Sequence, residues 1–177
     1  VFTRIALALF GQVPWRAVPE MPVEIMLLPR WFPFHLSKVS YWSRTVIVPL
    51  LILTTLRPRA RNPRGVDISE LFVKPANEQR FYQTNPTGNF FGTLMLVVDF
   101  LARFLVPLNP RRLEKKAIER AMEFVTERLN GEDGLGGIFP AMANALMAFD
   151  ALEVPKDHPD CVICRKAIDR LLVLNDA

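Results

Sequence analysis

Apolar residues recur along the chain at helical rather than strand spacing. The clearest case is an amphipathic helix whose apolar positions are mostly three or four residues apart: Leu113, Ala117, Ala121, Phe124 and Val125. Asn109 is its predicted N-cap, Pro110 its predicted first residue, and Asn130-Gly131 its predicted end. No segment alternates convincingly with a period of two. The sequence therefore predicts an all-α fold of paired helices joined by proline-rich turns.

Helix-breaking residues divide the rest of the chain into further helices. Fifteen prolines stand against eight glycines, and a proline inside a helical pattern ends or kinks the helix. Pro140 and Pro159 open the last two predicted helices, and Gly11 ends the first. The predicted helices cover residues 3–10, 23–28, 40–56, 68–73, 89–106, 141–152 and 159–174.

Two strongly apolar stretches are each followed by a basic segment. Residues 46–56 precede the arginine-rich loop 57–64, and residues 90–108 precede the basic segment 111–116. The first stretch contains Pro49 and is shorter than the roughly 20 apolar residues that span a membrane. We therefore expect residues 46–56 to be buried in the protein.

The second apolar stretch, residues 90–108, has several interpretations. Asp99 and Arg103 form an i,i+4 pair that would be costly in hydrocarbon, which argues against a membrane span. A buried helix with cations at its C-terminal end and a monotopic helix that dips into one leaflet both fit the pattern. The basic segments lack any recognisable nucleic-acid-reading motif, so no nucleic-acid partner is expected.

The composition is that of a folded chain. The 177 residues are 50% hydrophobic with a net charge of +4, which excludes disorder and is sufficient for one domain with a core. Two cysteines exclude a disulfide-rich scaffold. The chain begins at Val1 without a signal-peptide pattern. We expect it to be a piece of a longer protein.

Composition and spacing reveal no catalytic centre. Cys161 and Cys164, with His158 before them, fall short of the four or so ligands of a zinc site, because the only other histidine is His35. They are interpreted as packing residues, and no metal is predicted. The glycine-dense loop 130–137 lacks phosphate- and calcium-loop motifs and is interpreted as a turn between helices. The 13 Phe, 3 Trp and 2 Tyr indicate core packing or, alternatively, an apolar cavity whose ring faces stabilise a cation.

Two segments carry a family resemblance. Residues 11–51 (GQVPWRAVPEMPVEIMLLPRWFPFHLSKVSYWSRTVIVPLL) and 127–146 (ERLNGEDGLGGIFPAMANAL) resemble squalene–hopene cyclase, a bacterial class II triterpene cyclase. The second segment resembles one of the family's glutamine–tryptophan motifs, with Leu129 and Leu135 where glutamine and tryptophan would stand. The resemblance implies a protein of two α,α-barrel domains. Residues 1–177 would form part of the N-terminal barrel, and the second barrel, with the catalytic acid, would lie outside this chain.

The resemblance also implies partners and a location. It implies squalene as substrate, a homodimer, and monotopic attachment to one leaflet of the bacterial cytoplasmic membrane on the cytoplasmic side. It favours the monotopic interpretation of residues 90–108 over burial. The membrane-contact residues that we assign on this basis are Phe90, Phe91, Leu94 and Phe104.

The implied reaction is a cyclisation started by a proton. In the family, a protonated aspartic acid of an Asp-x-Asp-Asp motif protonates the terminal alkene of squalene. The cation then passes through ring closures and is quenched by deprotonation to hopene or by water to hopanol. No cofactor is implied. The motif is absent from the 177 residues, so we assign no catalytic residue here and expect the chain alone to be inactive.

The residues that the resemblance carries over line the cavity. Trp42 matches a tryptophan that holds an early ring cation, and Phe139 stands where some members have a water-ordering glutamine. An apolar Phe139 would favour hopene over hopanol. The implied substrate-binding residues are Trp42, Ile138, Phe139 and Pro140, and the candidate channel residues are Val39 and Ile47.

Two other classes of protein also explain the composition and charge. One is a noncatalytic helical protein that rests on membranes or binds lipids, and the other is a generic all-α interaction module. Neither explains the residues in segments 11–51 and 127–146. An Asp-x-Asp-Asp motif in the continuing reading frame would separate the cyclase from both alternatives.

Overall fold

The computed structural model describes residues 1–79, 81–85 and 87–172. These residues are mostly helical, and the all-α prediction is confirmed. The α-helices are α1 (Phe2–Leu9), α2 (Tyr41–Leu56), α3 (Phe90–Leu105), α4 (Arg111–Thr126), α5 (Phe139–Ala151) and α6 (Pro159–Leu171). The short 3-10 helices are Trp15–Ala17, Val23–Leu27, Leu36–Lys38, Ser69–Leu71 and Val106–Leu108.

Most predicted helix boundaries agree with the structure to within one or two residues, but the end of α4 predicted at Asn130-Gly131 is wrong, because the helix ends at Thr126 and Asn130 lies in a short strand. The short helix predicted at 23–28 is the 3-10 helix Val23–Leu27, and the one or two turns predicted at 68–73 are the 3-10 turn Ser69–Leu71. Helix α6 begins at Pro159 as predicted, and its predicted end at Leu174 lies outside the described residues.

The predicted cap of helix α4 is wrong. The N-cap is Pro110 rather than Asn109, with an extended backbone at φ −61° and ψ 136°. The carbonyl of Pro110 accepts the N–H of Leu113 at 2.8 Å. A fixed proline φ suits a residue just before a helix as well as one inside its first turn, so the pattern alone does not separate the two positions.

The loop between α4 and α5 contains a small antiparallel hairpin. Strand β1 (Leu129–Asn130) pairs with β2 (Gly134–Leu135), and Leu129 stands directly opposite Leu135. The side-chain oxygen of Asn130 accepts the backbone N–H groups of Glu132 and Asp133 at 3.0 and 2.7 Å. Because an asparagine oxygen can replace backbone partners in a turn, this residue closes the hairpin. The loop is a turn between helices, as predicted, and it takes the form of a two-stranded hairpin.

The chain divides into two compact units. Unit 1 consists of residues 1–21 and 57–109, and unit 2 of residues 22–56 and 110–177, described here to residue 172.

Unit 2 is built around helix α2, which packs against α4 and α5. Residues 48–54 of α2 are all buried, which agrees with the burial predicted for 46–56. Phe149 of α5 and Leu135 of β2 are buried with them. Small residues of α4 and α5, Ala117, Ala121 and Ala145, are fully buried, so that these helices approach the core closely.

Unit 1 contains helices α1 and α3. Helix α3 begins at Asn89, whose side-chain oxygen accepts the N–H of Gly92 at 2.7 Å and caps the helix. The predicted ion pair is present: Arg103 Nε lies 2.8 Å from Asp99 Oδ2.

The apolar surface of α3 is uncovered within the described residues. None of its residues is buried, and the helical stretch Phe90–Leu108 is long and apolar enough to cross a membrane by length and composition. Its burial in a protein core, one of the interpretations from the sequence, is not found in the structure.

Candidate functional site

Trp42 lies in the first turn of helix α2. Ser40 caps this turn: its carbonyl accepts the N–H of Arg44 at 3.0 Å and its hydroxyl accepts the N–H of Ser43 at 3.3 Å. The Trp42 side chain remains 57% exposed and meets the Tyr41 ring edge-on at 5.5 Å. An indole ring is therefore held at the surface of unit 2 with much of its area uncovered.

Ile138, Phe139 and Pro140 form the start of helix α5. Gly136 and Gly137 precede them with φ values of +68° and +65°, a backbone that L-residues adopt only at a cost. Pro140 is the second residue of the helix, where no N–H donor is needed. Ile138 is half-buried, and the Phe139 side chain is 56% exposed.

Thr45 and Gly136 bring these two segments together. Thr45 is fully buried one turn after Trp42, and its hydroxyl donates to the Trp42 carbonyl at 2.8 Å. A Cβ added to Gly136 would lie 3.1 Å from the same hydroxyl oxygen, so only glycine fits without displacement. Two residues beyond Gly136 the chain reaches Ile138. The start of α2 and the start of α5 therefore share one side of unit 2.

The two candidate channel residues are less distinctive. Val39 has an extended backbone directly after the 3-10 helix Leu36–Lys38 and is half-buried. Ile47 lies on α2 and is also half-buried. Their assignment to a channel stays a prediction.

The predicted membrane-contact residues are all exposed. Phe90, Phe91, Leu94 and Phe104 lie on helix α3 with their side chains uncovered. The opposite, polar edge of the helix attaches to its own unit: Arg103 donates to the Val18 carbonyl at 2.8 Å, and Asp99 accepts the Glu20 N–H at 2.6 Å. The Asp99–Arg103 ion pair therefore faces the rest of unit 1, and the apolar side chains of α3 face away from it.

The cysteines are placed for packing. Cys161 and Cys164 are free and buried on α6. Burial raises the pKa of Cys164 to about 12, with the neighbouring Cys161 and Asp160 adding to the effect. A thiol with such a pKa is neutral at physiological pH and a poor nucleophile. No group of three or more His, Cys, Asp or Glu side chains within the described ranges is arranged to hold a metal ion.

One feature of unit 2 is absent from the sequence predictions. A pocket of about 200 Å³ is lined by residues of the 3-10 segments and of α2 and α4, among them four arginines. The arginines are Arg30, Arg44, Arg120 and Arg128. They come from two distant parts of the chain, so their spacing contains no signal for a shared pocket. The charged Arg44 inside the apolar run YWSRTVIVPLL is the one local sign.

Comparison with known proteins places this helical chain in a class. The all-α fold is consistent with a terpenoid cyclase domain. The sequence model of the squalene-hopene cyclase N-terminal domain matches residues 1–177. The chain belongs to this family.

Several curated relatives are similar over almost the whole chain. It is 48% identical to a squalene–hopene cyclase of Bradyrhizobium diazoefficiens over 99% of the chain and 27% of that protein. It is 49% identical to one of Zymomonas mobilis over 99% of the chain and 26% of that protein. A squalene–hopene cyclase of Alicyclobacillus acidocaldarius is 31% identical over 90% of the chain and 24% of that protein. The chain thus spans about a quarter of the length of these relatives.

The contact between Thr45 and Gly136 predicts different outcomes for two neighbouring glycines. Gly136→Ala and Gly137→Ala both place a Cβ on a left-handed backbone, which costs about 1–2 kcal/mol. Only Gly136→Ala also meets the Thr45 hydroxyl, since the nearest atom for Gly137 is 3.9 Å away. We expect Gly136→Ala to lower the free energy of unfolding by about 1–3 kcal/mol more than Gly137→Ala, measured by urea denaturation. Equal losses would contradict the contact.

Proposed function

We propose that this chain forms part of the cavity wall of an enzyme that cyclises squalene to hopene or hopanol. The family membership supports this proposal, and several relatives are named squalene–hopene cyclases. The reaction would be a polycyclisation started by protonation of a terminal alkene. The chain spans about a quarter of those relatives, so the substrate and the activity belong to the proposal.

One structural observation carries the proposal. Trp42 and Phe139 keep more than half of their side-chain area exposed, although both belong to elements that are fixed by buried contacts. Both rings are therefore free to contact a ligand within the described residues. An aromatic face attracts a cation without reacting with it, and an apolar wall keeps water from an intermediate that any nucleophile would quench. These are the demands of a carbocation cascade.

The proposal divides the chemistry between this chain and residues elsewhere. The sequence contains no Asp-x-Asp-Asp motif, and we expect the proton donor from another part of a longer protein. In this chain Trp42 would stabilise an early cation. Ile138, Phe139 and Pro140 would shape the wall where the last cation is quenched. Val39 and Ile47 remain candidates for the channel constriction.

We also propose that helix α3 attaches the protein to one membrane leaflet. Its exposed apolar residues and its polar edge, which is bonded to Val18 and Glu20, support a helix that lies in the bilayer surface rather than one that crosses it. Attachment to the cytoplasmic membrane of a bacterium and homodimer formation remain predictions. The same helix also fits a noncatalytic lipid-binding protein, so the activity test below separates the two.

The first test is transfer of this chain into a relative. A chimera in which the 177 residues replace the matching segment of the Bradyrhizobium enzyme is expected to convert squalene to hopene, measured by gas chromatography. Trp42→Ala should lower kcat about tenfold by removing a cation–π contact. The matched control is Trp31→Ala in the same unit, because Trp31 is exposed and lies outside the proposed wall. A folded but inactive chimera would favour the lipid-binding alternative, and equal effects of the two substitutions would exclude the role of Trp42.

The second test concerns the end of the cascade. Phe139→Gln introduces a group that can order water beside the final cation, and we expect the fraction of hopanol in the chimera's products to rise. Phe139→Leu keeps the wall apolar and should leave the hopene-to-hopanol ratio unchanged. An unchanged ratio in Phe139→Gln would remove Phe139 from the quenching region.

The third test concerns attachment to membranes. Replacing Phe90, Phe91, Leu94 and Phe104 by serine removes large apolar side chains, each contributing about 1.5–3 kcal/mol when buried. We expect the partition of the full chain onto phosphatidylcholine/phosphatidylglycerol vesicles to fall at least about 100-fold in a flotation assay. Serine at Leu71, Val73 and Phe81, which are exposed residues of the same unit outside α3, provides the control. Loss of binding in the control alone would refute α3 as the contact.

A further inference from the structure

The arginine-lined pocket of unit 2 has no role in the proposed cyclisation. It has a volume of about 200 Å³ and lies between the 3-10 segments that precede α2, the start of α2, and the last turns of α4. Apolar residues such as Ile25 and Phe124 form part of its wall. Four arginines against Glu127 make its lining strongly positive.

Two of the four arginines are already neutralised. Arg128 lies 3.8 Å above the Phe124 ring, donates to the Phe124 carbonyl at 3.1 Å, and pairs with Glu127 at 2.9 Å. Arg120 pairs with Glu123. These ion pairs offset the charge of both guanidinium groups and use the single carboxylate of the lining. The positive charge that remains belongs to Arg30 and Arg44.

Arg44 carries a buried donor without an acceptor. Its Nε is out of contact with solvent and has no hydrogen-bond partner within the described residues. Buried polar atoms are nearly always bonded, and an unmade bond to a charged group is the most costly kind. Arg30 is exposed and has no ion-pair partner among the described side chains. A negatively charged acceptor would satisfy the Arg44 Nε donor and balance the charge of Arg30.

His35 and Ser37 add hydrogen-bonding groups to the same lining. The Ser37 N–H donates to His35 Nδ1 at 3.0 Å, and the Ser37 hydroxyl lies 2.7 Å from the same atom. Because Nδ1 is the acceptor of a backbone N–H, the proton of the neutral imidazole lies on Nε2. The ring is therefore a fixed donor at that atom.

We propose that this pocket binds a phosphate group. The planar fork of arginine matches the tetrahedral oxygens of phosphate, and two uncompensated guanidinium groups balance a dianion. The phosphate could be inorganic phosphate or part of a lipid headgroup, because the apolar part of the wall could contact the remainder of a lipid. This site is independent of the cyclisation proposal, because none of its residues lies among the proposed wall residues.

The test is a titration of the full chain in a nonionic detergent with inorganic phosphate. Sodium chloride keeps the ionic strength constant, and isothermal calorimetry measures the affinity. We expect saturable binding that Arg44→Gln and Arg30→Gln each weaken about tenfold, the effect of one lost charge-assisted hydrogen bond. Arg165→Gln removes the same charge from an exposed position on α6 of the same unit and should leave the dissociation constant unchanged within about twofold.

The outcomes distinguish specific binding at this site from nonspecific electrostatic attraction and from loss of the fold. Absence of saturable binding, or equal effects of Arg44→Gln and Arg165→Gln, would overturn the proposal. Circular dichroism checks that Arg44→Gln folds, and the exposed Arg30 provides a variant that does not disturb buried contacts.

The source of the phosphate is tested with a short-chain lipid. Dihexanoyl phosphatidic acid that binds at least about tenfold more tightly than inorganic phosphate, with both affinities sensitive to Arg44→Gln, assigns the site to a headgroup. Equal affinities assign it to free phosphate. Either result supports recognition of the phosphate group, whereas phosphatidic acid binding that ignores Arg44→Gln would count against it.

Discussion

Unit 2 depends on the burial of helix α2. Residues 48–54 are all buried, so this helix must be surrounded, and α4 and α5 pack against it. Its two buried threonines bond to their own helix: Thr45 donates to the Trp42 carbonyl at 2.8 Å, and Thr54 to the Leu50 carbonyl at 2.9 Å. Bonds of this kind let a buried hydroxyl donate to the backbone of its own helix. The starts of α2 and α5 are therefore fixed by the core while their outer side chains remain uncovered.

Helix α3 shows why hydropathy does not by itself decide burial. Its apolar sequence was predicted as a helix, and its cap at Asn89 and its ion pair between Asp99 and Arg103 are present. Yet α2 is buried and α3 is exposed. Hydropathy measures the tendency of a segment to leave water, whereas burial also requires other elements that pack against it. In α3 the polar residues Arg103 and Asp99 bond to the backbone of Val18 and Glu20, whereas no apolar residue of the helix is buried.

The sequence predicts elements better than the contacts between them. Proline and glycine positions fix most helix boundaries because they act locally. The hairpin that pairs Leu129 with Leu135 was missed because two-residue strands are too short for any period. The Thr45–Gly136 contact and the arginine pocket were also missed, since each joins residues about 90 positions apart, as between Thr45 and Gly136 or between Arg30 and Arg120. The proposed wall residues came from the family resemblance, and their spacing alone would not have identified them.

The rings at the start of α2 and α5 are exposed within the described residues. Covering an aromatic side chain contributes about 1.5–3 kcal/mol, so Trp42 and Phe139 offer binding energy to a hydrocarbon that contacts them. Trp42 stands one turn before the buried Thr45, which bonds to its carbonyl, and Phe139 stands three residues after Gly136, which packs against Thr45. Aromatic faces suit a hydrocarbon whose proposed intermediates are cations, because they offer π-electrons without reacting.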